Sequence, residues 1–466
     1  MFSAHKLRQK FIGDRAFYQR LMHVMVPAII HMSVANFVNL LDNLMVGALG
    51  TAQISGVAVA NQLMFVFNMI MFGVLGAAGI FSAQYFGARD TEGVRNVFRA
   101  KIWLTMIVTL LGLAMLILWD KALIGVFLKG QGDPALADQI MEEARRYIYI
   151  MLWGVLPFAI AQSYATTMRE AGELRVPMHA GIIAVLVNLA GNYVLIYGHL
   201  GCPPMGVVGA ALSTVISRYV EMIIVMYAAH KMEMFRFFRG VFRTLKVPAA
   251  LIESIFTKGA PLILNEVLWS VSMAKIAQIY TLRGLTVLAA INISSTITNL
   301  FNVLLIANGT TVAVIIGQML GAGETEKAKE DIWKIIFFGF AGCTLIAIVM
   351  AILSPFFPRL YNTEETVRLM AENFILAQAI MIPANSLCNA SYFTLRSGGR
   401  TMITCLMDAG FNWAVTIPFT LFLVHETDLA IIPLYFISQT TSILKAAIGV
   451  TLVHKGIWVR NIVQNV

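Results

Sequence analysis

The chain has 466 residues, 58% of them hydrophobic and only 13% charged, and its mean hydropathy is +0.76. Soluble domains carry about a quarter charged residues, so this chain lacks the polar surface to wrap its apolar side chains in water; soluble, secreted and disordered classes are excluded and a polytopic membrane protein remains. The net charge of +9 comes from 34 Lys and Arg against 25 Asp and Glu, which basic loops on one membrane face explain better than nucleic acid does, so the bilayer is the expected partner and nucleic acid is not.

Residues 1–20 carry five basic side chains from Lys6 to Arg20 and no small-residue cleavage site, and read as a cytosolic lead-in. Crossing about 30 Å of hydrocarbon takes roughly 20 apolar residues as a helix. Twelve such stretches follow, near 21–46, 54–83, 98–119, 146–168, 176–198, 206–229, 258–282, 286–317, 333–353, 369–394, 401–424 and 429–453. With the N-terminus in the cytosol, and charges at a span's end such as Arg99 and Lys101 counted with the adjoining segment, the inner segments hold 24 Lys and Arg and the outer loops 7, while Arg218, Lys275 and Lys445 lie within spans. That asymmetry places both termini in the cytoplasm.

The division expected is an N-lobe over 21–229, a basic cytosolic linker over 230–257, a C-lobe over 258–453 and a cytosolic tail over 454–466. The linker mixes Lys231, Arg236, Arg239, Arg243 and Lys246 with Phe235, Phe237, Phe238 and Phe242, the pattern of an amphipathic helix on an anionic leaflet.

The halves align at a constant offset of 234. Pro27 meets Pro261, Gly50 meets Gly284, and Phe67-Asn68 meets Phe301-Asn302. The block from Gln84 to Glu92 shares five of nine residues with the block from Gln318 to Glu326: the glutamine, Gly-Ala, and Thr-Glu. Six spans per half is an even number, so the repeat is parallel, and two bundles of that kind can face a central cleft. The Gly-Ala and Thr-Glu positions read as structural punctuation at the helix ends.

Charges at membrane depth are functional candidates because each costs several kcal/mol to place there. Asp42 stands in the first span with Asn39 three residues before it, and His31 lies eleven residues back, three turns away on nearly the same face. Asn36, in the same span, is a further cavity candidate. A carboxylate flanked by amides can hold a proton or a small cation. Asn188 and Asn192 are one turn apart in span five; span six carries Ser213, Thr214, and the Arg218/Glu221 pair at i, i+3. In the second half Asn265 and Glu266 follow Pro261, and Asp408 is followed one turn on by Asn412. A partnership of Glu266 with Lys275 or Lys445 is open. Cys202, Cys343, Cys388 and Cys405 form no metal spacing, and HExxH and phosphate-loop motifs are missing, so neither zinc chemistry nor ATP hydrolysis has support, no enzyme constellation can be assembled, and no cofactor is expected.

The parallel sixes, Leu41-Asp42-Asn43-Leu44-Met45-Val46-Gly47 with Leu49-Gly50, Gln84-Tyr-Phe-Gly-Ala88, Gly206-Val-Val-Gly-Ala-Ala-Leu-Ser-Thr214 and Arg396-Ser-Gly-Gly-Arg400 together resemble the multidrug and toxic compound extrusion (MATE) family, over nearly the whole chain. The resemblance implies an all-α integral membrane fold of two six-helix lobes forming a V, monomeric, in the bacterial inner membrane. It also implies export of amphipathic organic cations in exchange for H⁺ or Na⁺. In prokaryotic members the coupling carboxylate is on span one, here Asp42, with an Asn on span five matching Asn188 and a Thr on span six matching Thr214; these three are the candidate Na⁺ ligands. The acidic residue that the family carries four positions after that Asn is Asn192 here. His31, Asn36, Asn265, Glu266 and Asp408 are the remaining cavity and second-lobe candidates. A flippase for a lipid-linked saccharide, of the same superfamily, and a passive channel are the alternatives.

Overall fold

A computed structural model of the chain describes residues 10–47, 49–128, 134–284, 286–361 and 363–464, leaving out the side chains of Asn39, Leu40, Asn43, Leu44, Gly47 and Thr51. Every regular element among the described residues is helical, and twelve helices are long and apolar enough to cross a membrane. They exceed the stretches read from hydropathy because their ends carry polar turns beyond the apolar core. The first half contributes Arg15–Gly47, Thr51–Gly87, Thr91–Leu118, Pro134–Glu170, Arg175–Tyr197 and Gly206–Lys231, with a short helix Asp120–Leu128 between the third and fourth. The second half contributes Ala249–Thr281, Thr286–Gly321, Thr325–Leu353, Glu365–Ser397, Thr401–Glu426 and Ile431–His454. Span eight is interrupted at Asn302 and span twelve at Thr440, whereas the matching Asn68 lies inside an unbroken helix. Prolines sit inside spans one, four, seven and ten, at Pro27, Pro157, Pro261 and Pro383, each removing one rung of the helical hydrogen-bond ladder.

The chain divides into two compact units. One comprises residues 30–82 and 91–253, the other 1–29, 83–90 and 254–466. In the first unit the linker is not one amphipathic helix. It makes two short 3₁₀ turns, Glu233–Phe238 and Val241–Arg243, and buries Phe235, Phe237 and Phe238. Phe238 packs edge-on against Phe98 at 4.8 Å and lies 5.1 Å from Tyr164. Three residues at four-residue spacing on span three fasten its backbone: Arg95 donates to the Phe237 and Arg239 carbonyls at 2.9 Å each, Arg99 to Val241 at 2.8 Å, and Trp103 to Leu245 at 3.1 Å. Arg99, counted from sequence with the loop, is thereby buried inside the helix. Arg239 and Arg236 flank the exposed Glu233 and hold its carboxyl below the usual carboxylate range.

In the second unit the repeated block acquires a physical reason. A Cβ on Gly87 would run into the Gln318 carbonyl, and one on Gly321 into the Gln84 carbonyl, so the ends of spans two and eight cross in reciprocal backbone contact. Only glycine permits that approach. The C-terminal segment closes over the crossing. Gln84 Nε2 donates to the Ser397 and Arg460 carbonyls at 2.8 and 3.2 Å, Ile462 N donates to Gln84 Oε1 at 2.8 Å, and Asn461 donates to the Gly321 carbonyl at 3.1 Å.

Gly87→Ala and Gly321→Ala should each lower stability in detergent by about 1–3 kcal/mol or more through overpacking. Gly125→Ala is the control: no atom stands within 4 Å of its Cβ position, and its melting temperature should hold or rise. Thermal unfolding of the three purified variants measures the contrast.

Candidate functional site

The first polar centre forms where spans one, five and six converge. Spans five and six approach closely because a Cβ on Gly191 would strike the Ser213 hydroxyl and one on Gly209 would stand 2.5 Å from the Leu195 carbonyl. Ser213 Oγ donates to the Asn188 carbonyl at 2.6 Å, which fixes the register of the two helices. Span one is drawn against span five at Gly181, where His31 fills the space a Cβ would occupy. Tyr197 donates to the Met45 carbonyl at 3.0 Å at the far end of the same helix pair.

Within this frame Asn192 Nδ2 donates to Asp42 Oδ1 at 2.6 Å. In the orientation that satisfies its neighbours, the Asn188 amide donates to Asp42 Oδ1 and Oδ2 at 3.1 and 2.9 Å, while its oxygen accepts from Thr214 N and Oγ1 at 3.2 and 3.1 Å. The carboxylate is thus held by two amides, and among the described residues no basic side chain forms an ion pair with it. Asn192 Oδ1 is buried and, among the described residues, lacks a hydrogen-bond partner. Asn36 is half-buried in the same helix, and the side chain of Asn39 lies outside the described residues.

The expected Arg218–Glu221 pair does not form at ion-pair distance among the described residues. Arg218 lies over the Phe158 ring at 5.0 Å, and Glu221 accepts from Gln162 at 3.5 Å, which in turn accepts from Arg169 at 3.3 Å. Each thus meets a side chain of span four directly, while the two remain within electrostatic reach of each other.

The second centre brings together three candidates from the other half. Asn265 Nδ2 donates to Asp408 Oδ2 at 3.1 Å, and Tyr392 Oη donates to Glu266 Oε1 at 3.5 Å. Lys445 Nζ donates to Asp408 Oδ1 at 2.5 Å and to Asn412 Oδ1 at 3.4 Å. Lys445 is therefore the partner of Asp408 and not of Glu266, while Lys275 is exposed and bonds Gln278 at 3.1 Å. Span eleven is wound as two wide π-turns, Leu406–Gly410 and Asn412–Thr416, which carry Asp408 and Asn412. The Ala409 N–H within the first donates to Asn265 Oδ1 at 3.2 Å, so the altered ladder finds its partner on span seven. Such turns concentrate at functional sites.

The most deeply buried charge also escaped the sequence reading. Lys101 is wholly buried in span three and donates to Glu170 at 2.5 Å, Thr167 at 3.0 Å and Thr166 at 3.3 Å. It follows Arg95 and Arg99 in sequence and so looks like loop charge. Its signal would have been the Thr-Thr-x-x-Glu run ending span four.

The MatE family model matches residues 27–194 and again 261–421. The chain belongs to the MATE family. Both matches begin at the prolines that open the repeat. Solved structures agree in fold. An outward-facing multidrug resistance MATE family transporter of the MOP superfamily superposes with a TM-score of 0.85 at 18% identity, covering 97% of each chain. An aspartate-to-asparagine mutant of the Vibrio cholerae MATE transporter VcmN gives 0.84 at 18%, over 95% of this chain and 97% of that one. A MOP superfamily transporter from Pyrococcus furiosus, described as having a binding pocket of reverse polarity, gives 0.83 at 18%, over 97% of each. This MATE chain is accordingly a multi-pass membrane transporter and not an enzyme.

Removing one member of the buried Lys101–Glu170 pair strands the other. Lys101→Met should therefore cost about 3–5 kcal/mol, and Lys101→Met combined with Glu170→Met should recover most of it. Melting temperatures and yields of the single and double variants check this; equal losses in both would remove the pair from the account.

Proposed function

We propose that this MATE transporter exports amphipathic organic cations from the cytoplasm in exchange for H⁺ or Na⁺ by alternating access, with Asp42 as the coupling carboxylate. The observation that carries the reading is the set of partners around Asp42: two amides, a threonine hydroxyl one step away, and no fixed cation among the described residues. A charge at that depth is costly unless compensated, and a mobile cation can compensate it where no side chain does. The N-lobe over 21–229 would hold this site and the C-lobe over 258–453 a second one, both termini lying in the cytoplasm of a bacterial inner membrane.

The chemistry follows from donor and acceptor counts. An ionised carboxylate only accepts, which suits the two amide N–H groups now facing it. A proton on Asp42 turns one oxygen into a donor, and an amide must then present oxygen instead of nitrogen. Asn192 Oδ1, buried and unpartnered, is the acceptor in reach. Sodium would ask for the same rotation, because it takes oxygen ligands only; Asp42, Asn188, Asn192 and Thr214 could each supply one. Either cation thus rewrites the bonds that tie spans one, five and six together, and an organic cation competing for the same carboxylate would be released as it enters.

Uptake of ethidium into inverted vesicles, driven first by a proton gradient and then by a sodium gradient, is the direct test. Wild-type uptake under one gradient and none in Asp42→Asn at matched expression is the expected result and names the ion. Unchanged uptake in the variant would remove Asp42 from the mechanism. The absence of gradient-driven uptake by wild type under either ion would turn the search to lipid-linked substrates. Asn192→Asp adds a second carboxylate within hydrogen-bond distance of the first, and two such groups must either share a proton or hold a cation between them. That variant should gain sodium-dependent uptake or show a stronger dependence than wild type, read as the ratio of rates at high and low sodium.

A further inference from the structure

The Lys445–Asp408 pair differs from the other buried lysine–carboxylate pair in a way that bears on ligand binding. Lys101 is wholly buried and its ammonium is met by a carboxylate and two hydroxyls, so all three of its donors are engaged. Among the described residues Lys445 donates to Asp408 and Asn412 alone, and the side chains of Lys445 and Asp408 remain 14% and 20% exposed. The first arrangement is a closed structural bond. The second has a carboxylate, an amide oxygen and an opening.

The surroundings are built to present those oxygens. Asn265 secures Asp408 from the far side through Oδ2, leaving Oδ1 turned toward Lys445. Asn412 spends its Nδ2 on Ser272 Oγ at 3.1 Å, which leaves its Oδ1 turned the same way. Span twelve reaches this position because Gly449, one turn after Lys445, packs on Ser391 and on Met407 Sδ, where a Cβ would stand 2.8 Å and 3.3 Å from their atoms. Two π-turns in the middle of a span set the spacing of Asp408 and Asn412. A well-packed apolar pair of similar volume would hold the helices together as firmly without the desolvation cost.

We propose that Asp408 and Asn412 form a second cation site that the transporter keeps filled with its own ammonium. Lys445 is a tethered counter-ion, displaced when an organic cation bearing N–H donors, such as an amine or amidinium group, enters the second half. The flexible four-carbon stem of lysine suits it to leave and return. Among the described residues the charged and titratable groups around the pair are Glu266, Arg396, Tyr392, Cys388 and Cys405; Glu266 and Arg396 lie within electrostatic reach of each other, so the balance of the cluster is kept while Lys445 is in place. The inference rests on the reading of the chain as an exporter of organic cations, and it adds that the two halves bind them differently: Asp42 awaits a mobile ion, whereas Asp408 carries its own.

Equilibrium binding of ethidium to the purified full-length protein in detergent, with no gradient present, tests this. Lys445→Met should bind about tenfold more tightly than wild type, since the competitor is gone, and Lys445→Met combined with Asp408→Asn should lose that gain. The double variant is neutral at both positions and guards against misfolding from a stranded charge. Equal affinity in wild type and Lys445→Met overturns the proposal. Should no form bind ethidium, the export reading fails, and the second site is judged by a separate measurement. Lys445→Ala should be stabilised by butylammonium chloride over sodium chloride at equal ionic strength, while the Lys445→Ala/Asp408→Asn variant should not. Without that difference in melting temperature the pair is a structural bond only.

Discussion

Everything polar in this protein answers to the cost of placing a charge in hydrocarbon. The chain meets it in three ways. Lys101 and Glu170 compensate each other completely. Asp408 and Lys445 compensate each other while both side chains stay partly exposed. Asp42 receives hydrogen bonds from amides but no countercharge from any described side chain. That gradation orders the sites by how much each leaves for an external cation to do, and it separates structure from function more sharply than burial alone. By burial, Lys101 would rank as the foremost candidate, yet its bonding leaves it nothing to exchange.

The backbone contacts make the side-chain chemistry reachable. Amide and hydroxyl groups have short arms, so Asn188, Asn192 and Thr214 can converge on Asp42 only if their helices nearly touch. Gly181, Gly191 and Gly209 set those distances, and small residues at helix contacts are the usual means of bringing membrane helices together. In the second half, Gly449 brings Lys445 toward Asp408 in the same fashion. A larger residue at any of these positions would leave every polar side chain in place in the sequence and remove the site.

Much of this was legible without coordinates. Twelve spans follow from hydropathy because lipid forces each crossing into an apolar helix of known length. Asp42, Asn188, Asn192 and Thr214 stand out in the sequence as polar groups on long apolar helices, and the structure joins them in one run of hydrogen bonds. The partners were harder to read. Glu266 could have taken Lys275 or Lys445 as its partner, whereas the structure seats Lys445 on Asp408, which stands on a π-turn of span eleven that no composition rule announces. Arg218 and Glu221 matched the spacing of a pair along one helix, but Phe158 and Gln162 from the neighbouring helix intervene. The linker's phenylalanines read as lipid-facing, since a sequence shows that an aromatic residue is apolar and not which surface receives it. Here that surface is built by Phe98, Tyr164 and the guanidinium groups of Arg95 and Arg99.

The repeat shows which features of a duplicated bundle are held and which are free. At the offset of 234, the Gln-x-x-Gly-Ala block is kept in both halves, and the reciprocal contact of Gly87 and Gly321 explains it: a backbone crossing admits one residue type. The acids did not stay in register. Asp42 falls opposite Ile276, which is buried in an apolar cluster, and Glu266 falls opposite Met32. A carboxylate can migrate along a helix provided its donors migrate with it, so nothing ties it to one position once two copies exist. The prolines Pro27 and Pro261 persist because they shape the helix itself. Two halves that repeat one pattern can therefore share a scaffold and differ in what faces their acids: two amides meet Asp42, whereas an amide and the Lys445 ammonium meet Asp408.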